Sequence, residues 1–211
     1  MKNYLLAGMV ALSLSGCFSL AGNKNAPEIT TYVLEDAGHA TPAAVTNPHT
    51  LLVLDTATNA FYNTDSIAFS RAPGTLGLYQ YARWADRPGK RFGELLLTRL
   101  DADHIFATVA SSGSGIKGNW VLDTSLLTFY HQASAAPGSV HVELRAEVTD
   151  LRSRTLIARK LFIQDVPAPT YNAAGAVYAF NSATGKLLDD IGAWLQTLPT
   201  KGSDVTASKL P

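Results

Sequence analysis

Cysteine is nearly missing from this sequence: Cys17 stands alone among 211 residues. One thiol cannot close an internal disulfide and is too few for a cysteine-rich zinc site, so stapled secreted scaffolds and zinc fingers are excluded. Excess charge is missing too, since seventeen Lys and Arg balance seventeen Asp and Glu. With no surplus of cations to displace counterions from a phosphate backbone, nucleic acid is not expected as a partner. Long apolar runs are also absent. None reaches the roughly 20 residues that a membrane-spanning helix needs, which excludes a polytopic membrane protein. Apolar side chains are nevertheless plentiful at 46%. That is enough to offset chain entropy, so the composition is that of one, or at most two, folded domains.

The position of the single cysteine is informative. Met1-Lys2-Asn3 supplies a basic start, Tyr4 to Leu12 an apolar stretch, and Ser13-Leu14-Ser15-Gly16 small residues before Cys17. These are the three regions of a secretory signal, too short to span a bilayer. Leu14-Ser15-Gly16-Cys17 further resembles the bacterial lipobox, in which the signal is removed just before a cysteine that becomes acylated. On that reading residues 1–16 are a signal peptide and residues 17–29 a lipidated Cys17 with its tether. Several acyl chains on one residue then anchor a soluble domain stably, because each buried methylene contributes about 0.8 kcal/mol. The alternative is an ordinary secretory signal followed by a core cysteine. Phe18 stands where an Asp would retain such lipoproteins at the inner membrane, so the resemblance implies the periplasmic face of the outer membrane.

Thr30 to Leu34 is β-branched and aromatic and reads as a first strand, and Leu51-Leu52-Val53-Leu54 as a central, buried one. Residues 59–71 read as two short strands about an Asn63-Thr64-Asp65 turn, followed by a strand over Leu76–Tyr81. Pro88 can open a helix whose Phe92, Leu95, Leu96 and Leu100 recur on one side, with Arg91, Glu94 and Arg99 directed elsewhere. Ile105–Val109 is strand again, and this β-α-β order predicts at least one parallel strand pair. Trp120–Tyr130 is extended. Val140, Val142, Leu144, Ala146 and Val148 alternate with polar residues, and the chain turns at Asp150–Arg154 into a partner over Thr155–Gln164. Ala173–Leu198 is helical, with Val177, Phe180, Leu187, Leu188, Ile191, Trp194 and Leu195 on one stripe, while Gly185 and Gly192 weaken the pattern. The expected fold class is α/β (α+β): a single domain over 30–198 with a mixed, mostly antiparallel sheet, about two main helices, and a polar tail at 199–211.

Candidate chemistry is sparse. Ser111–Gly118 is rich in Gly and Ser, but Lys117 precedes Gly118 and Asn119 follows it, so the loop fails the phosphate-binding pattern. Ser114 does not lie in a nucleophile elbow. Asp101, Asp103 and His104 could serve a metal-dependent periplasmic hydrolase, yet His39, His49, His131 and His141 are scattered with no i, i+4 pairing, and a solvated helix-to-strand turn is the better reading of the cluster. No catalytic residue, metal or cofactor is expected, and the chain is read as no enzyme. The segment Leu78–Pro88 is more suggestive. Tyr79, Tyr81, Arg83 and Trp84 are residue types enriched in interface hot spots and are the candidate partner-binding residues, although rings in strands also serve as core.

The lipobox, the Tyr32-Val33-Leu34 strand, Tyr81-Ala82-Arg83-Trp84-Ala85-Asp86-Arg87-Pro88 leading into Phe92-Gly93-Glu94-Leu95-Leu96, the charged hairpin, and a last helix with Ala179-Phe180 and Ala193-Trp194-Leu195 together resemble the ABC-type transport auxiliary lipoproteins, PqiC-type proteins among them. The resemblance spans nearly the whole mature chain and is most specific at Arg83-Trp84. It implies a non-enzymatic adaptor beside an ABC permease, an ATPase and an MCE-domain (MlaD-like) protein, in a system moving phospholipid or other hydrophobic molecules between the two membranes. A homo-oligomer is plausible by analogy with ring-shaped MCE partners. A periplasmic lipid-binding carrier is the alternative.

Overall fold

The computed structural model describes residues 27–199. The signal segment 1–16, Cys17, most of the tether and nearly all of the polar tail lie outside the described residues. The elements in chain order are β1 (Thr30–Tyr32), β2 (Asn47–Val53), β3 (Ala57–Thr58), β4 (Ser66–Ser70), β5 (Gly77–Trp84), α1 (Pro88–Ala102), β6 (Phe106–Ser111), β7 (Trp120–Gln132), β8 (Ser139–Asp150), β9 (Thr155–Pro167) and α2 (Ala173–Gln196).

Strand β7 organises the sheet. Along one edge it pairs antiparallel with β8 from Trp120↔Asp150 to Gln132↔Ser139, and β8 pairs antiparallel with β9. Its other edge is shared by three short parallel strands: β2 at Leu51↔Trp120, β3 at Ala57↔Ser125 and β4 at Phe69↔His131. From there the sheet branches. β2 carries β6 in parallel, β4 carries β5 antiparallel, and β5 carries β1 in parallel. The result is a nine-stranded mixed sheet in one α+β domain, with long antiparallel ladders and short parallel ones. The predicted parallel pairing exists, but not from the β-α-β order. β5 and β6 lie on different branches, and parallel contacts arise because 13-residue β7 is long enough to receive three earlier strands in turn.

The core follows the alternation. Val140, Val142, Leu144, Ala146 and Val148 are all buried on one face of β8. Against the sheet pack Phe92, Leu96 and Leu100 of α1, and Phe180, Leu187, Leu188, Ile191 and Leu195 of α2. Trp194, on the same predicted stripe, is half-buried and meets Phe162 edge-on at 5.7 Å. Burial of such side chains contributes about 1.5–3 kcal/mol each, and this term holds helices to sheet. Leu51 and Val53 are buried as expected of a strand flanked on both sides, by β6 and β7.

Three local expectations are corrected. Residues 59–65 form a turn, not a strand: the Asn59 side-chain oxygen accepts from the amides of Phe61 and Tyr62, giving the backbone an alternative to a ladder. Arg99 does not point to solvent but is 4% exposed, with its guanidinium donating to Asp36 at 2.6 Å and to Asp189 on α2. Two carboxylates from separate segments satisfy the planar fork, which is what makes burial of the charge tolerable. Gly185, which weakened the helical pattern, has a packing role: a Cβ there would lie 2.6 Å from the Gly38 amide nitrogen, so the loop after β1 runs directly over α2.

Candidate partner-binding edge

The segment singled out in the sequence lies on β5. Its last three residues, Ala82–Trp84, are covered by β1, while no described strand pairs with that same edge over Gly77–Tyr81. Among the described residues no strand takes up the backbone donors and acceptors there, beside Leu76, Leu78 and Tyr81, each 45% exposed. An unpaired edge with apolar side chains is a template for an added strand.

The four candidate residues separate in space. Trp84 is 2% exposed and belongs to the core, meeting Phe180 edge-on at 5.4 Å and Phe129 at 6.0 Å. As a surface contact it is corrected: the helical layer covers the face of β5 toward which Trp84 points. Tyr79 is half-buried, and its hydroxyl lies 2.7 Å from Nδ1 of His131. Tyr79 and Trp84 are an odd number of residues apart, yet both reach the buried side of β7, where His131 and Phe129 lie. The register shift between Ser66 and Ala68 of the paired β4 reverses the alternation between them. Tyr81 is exposed, and Arg83 forms a solvent-exposed pair with Asp65 at 3.6 Å. The accessible edge is thus Leu76, Leu78 and Tyr81, with the exposed Arg83 side chain beside it.

The environments of Tyr79 and His131 favour the neutral form of each. Burial pushes the Tyr79 phenol above its ordinary value and holds the His131 imidazole below its own, opposed for His131 by the Pro137 carbonyl 3.1 Å from Nε2. The geometry matches a neutral ring that donates from Nε2 to Pro137 and accepts at Nδ1 from Tyr79. This is a structural clasp behind the open edge.

Next to the edge lies a surface cleft of about 540 Å³, lined by Tyr62, Pro73, Thr75, Leu76, Tyr130 and Gln132. Leu76 belongs to both features. Sequence reading passed over this cleft, because its walls come from the loop after β4, the turn before it and β7, and no local pattern signals their convergence.

Asp101, Asp103 and His104 do not converge. Asp103 is 5% exposed; its Oδ1 accepts from the Thr41 amide at 2.6 Å and its carbonyl from the Ala43 amide at 2.8 Å, so it pins the β1–β2 connection. Asp101 and His104 face solvent. Among the described residues no group of three or more His, Cys, Asp or Glu is arranged to hold a metal. No described helix is long and apolar enough to cross a membrane.

Comparison with known structures supports the architecture. A crystal structure of a Xanthomonas campestris protein of the DUF330 family superposes with a TM-score of 0.71 at 20% identity, covering 81% of this chain and 96% of that one. An uncharacterised protein superposes with a TM-score of 0.64 at 10% identity, over 80% and 99% of the two chains. At these identities the likeness concerns the fold. No match among curated proteins reaches significance. The sequence pattern of the ABC-type transport auxiliary lipoprotein component family matches residues 32–192, from β1 into α2, and the chain belongs to that family.

Proposed function

We propose that this chain is a lipid-anchored adaptor that holds the MCE-domain component of an ABC transport system at the periplasmic face of the outer membrane. The system would include a permease and an ATPase and move phospholipid or another hydrophobic cargo. Membership of a transport auxiliary lipoprotein family supports the transport-associated part of this reading. The lipobox ending at Cys17 supports the anchor, with residues 1–16 as signal and the segment before β1 as tether. The observation that carries the adaptor role is the edge of β5, where Leu78 and Tyr81 flank backbone that no described strand pairs. Such an edge supplies main-chain hydrogen bonds for affinity and side chains for selection.

The test is co-purification of the tagged full chain from detergent-solubilised envelopes. The adaptor reading expects an MCE protein, permease or ATPase to be retained, and expects Leu78→Lys to lower that retention. Recovery of none of the three, under conditions that keep a control complex intact, would sink it. The carrier alternative is separated by native mass spectrometry of the chain, which would then show a bound lipid; the cleft beside Leu76 is where a ligand would be sought.

A further inference from the structure

The opposite edge of the sheet is β9, whose outer side pairs with no other described strand along Thr155–Pro167. Its residues divide by face. Phe162 and Val166 are buried toward α2, whereas Arg159, Leu161, Ile163 and Asp165 lie on the open face, with Leu161 and Ile163 each 49% exposed. A long edge exposing adjacent apolar residues is a liability unless something covers it.

The charges beside this stripe are arranged in two groups of opposite sense. At one end Glu147 receives two guanidinium groups, from Arg159 at 2.8 Å and Arg145 at 3.2 Å. At the other end the His141 ring lies between two carboxylates, Asp165 at 2.7 Å and Glu143 at 3.3 Å. One end of the stripe has an excess of cations and the other an excess of carboxylates, with Leu161 and Ile163 between them. Such a pattern is its own complement when reversed.

We infer that β9 pairs antiparallel with β9 of a second copy of this chain, about a two-fold axis at Phe162. In that register Leu161 faces Ile163 of the other copy, and Arg159 faces the other copy's Asp165, each contact occurring twice by symmetry. The cation-rich group of each protomer is brought onto the carboxylate-rich group of its partner. On the helix side Lys160 faces the other copy's Gln164, whose amide donates to Asp190 at 2.7 Å, so this cation also meets a carboxylate. An isologous contact of this kind closes at two copies, and self-complementarity is what a two-fold axis demands. Confinement of anchored chains to one membrane surface would raise their effective concentration and favour even a modest edge contact. The inference is independent of the adaptor reading and leaves the β5 edge free.

The test is a charge exchange in the full chain, purified in detergent and followed by sedimentation and native mass spectrometry. Wild type self-associates. Arg159→Asp alone and Asp165→Arg alone each lose self-association at least tenfold, while an equimolar mixture of the two recovers a heterodimer, because only the mixed pair restores opposite signs. A wild type that stays monomeric, variants that associate like wild type, or a mixture that recovers nothing would each overturn the inference. Should a charge variant fail to fold, cysteine mapping decides. A Leu161→Cys chain mixed with an Ile163→Cys chain forms the 161–163 disulfide under mild oxidation, and its absence refutes the register.

Discussion

The hydroxyl of Tyr79 on β5 lies 2.7 Å from Nδ1 of His131 on β7, joining strands that do not pair with one another at that point. His131 is fully buried, and that burial favours its neutral ring. Its folded value is held below 6.5, so between that value and 6.5 the unfolded chain binds a proton that the folded chain does not. Stability from this group is therefore complete above about pH 6.5 and declines as pH falls below it. Urea unfolding midpoints at pH 7.5 and pH 5.5 should show this decline, and His131→Gln should flatten it. Tyr79→Phe should cost about 1 kcal/mol at neutral pH.

Arg99 and Asp36 form the most buried ion pair described, with side chains 3% and 18% exposed. Arg99→Ala should destabilise the chain by about 3–5 kcal/mol, because Asp36 would keep its charge with no countercharge beside it. Asp189, whose side chain is 56% exposed, should matter far less, with Asp189→Ala within about 1 kcal/mol. Chemical denaturation of the two variants measures the contrast.

Trp84 and Tyr81 should part company under alanine substitution. Trp84→Ala empties a core site against Phe129 and Phe180 and should cost about 3–5 kcal/mol. Tyr81→Ala should leave stability within about 0.5 kcal/mol while weakening partner retention about tenfold. Thermal melts paired with the envelope co-purification separate the two effects.

Gly138 has φ +81° and sits against the Gln132 carbonyl, with the His131 ring 2.6 Å from where a Cβ would lie. Gly138→Ala should destabilise by more than about 1 kcal/mol through strain and displacement of the Tyr79–His131 bond. The measurement is a denaturation curve together with the His131 ring resonance by NMR.

Cys17→Ser should release the chain from membranes into the soluble fraction, since no acyl chain would remain to hold it. Fractionation and intact-mass measurement of the wild type, which should carry acyl mass at residue 17, check this outcome.

Much of the architecture follows from patterns local in sequence. The period-two alternation at 140–148 and the stripe from Val177 to Leu195 each bury a face that any tertiary arrangement must cover, so β8, β9 and α2 were legible from residues alone. The family, too, was legible in the residues around Arg83-Trp84, and the match over 32–192 agrees with it. What the residues could not reveal are relations between distant segments. Trp84 is core and Tyr81 surface because α2 covers the face of β5 that carries Trp84 and leaves the other face open. Arg99 is buried because Asp36 and Asp189 come from either side to neutralise it. Asp103 became a fastening for the β1–β2 connection in place of a ligand because Thr41 arrives above it. Local periodicity is set by hydrogen-bond geometry within a few residues, whereas the burial of a charge or a ring depends on which remote segment arrives to receive it, and only the closed fold decides that.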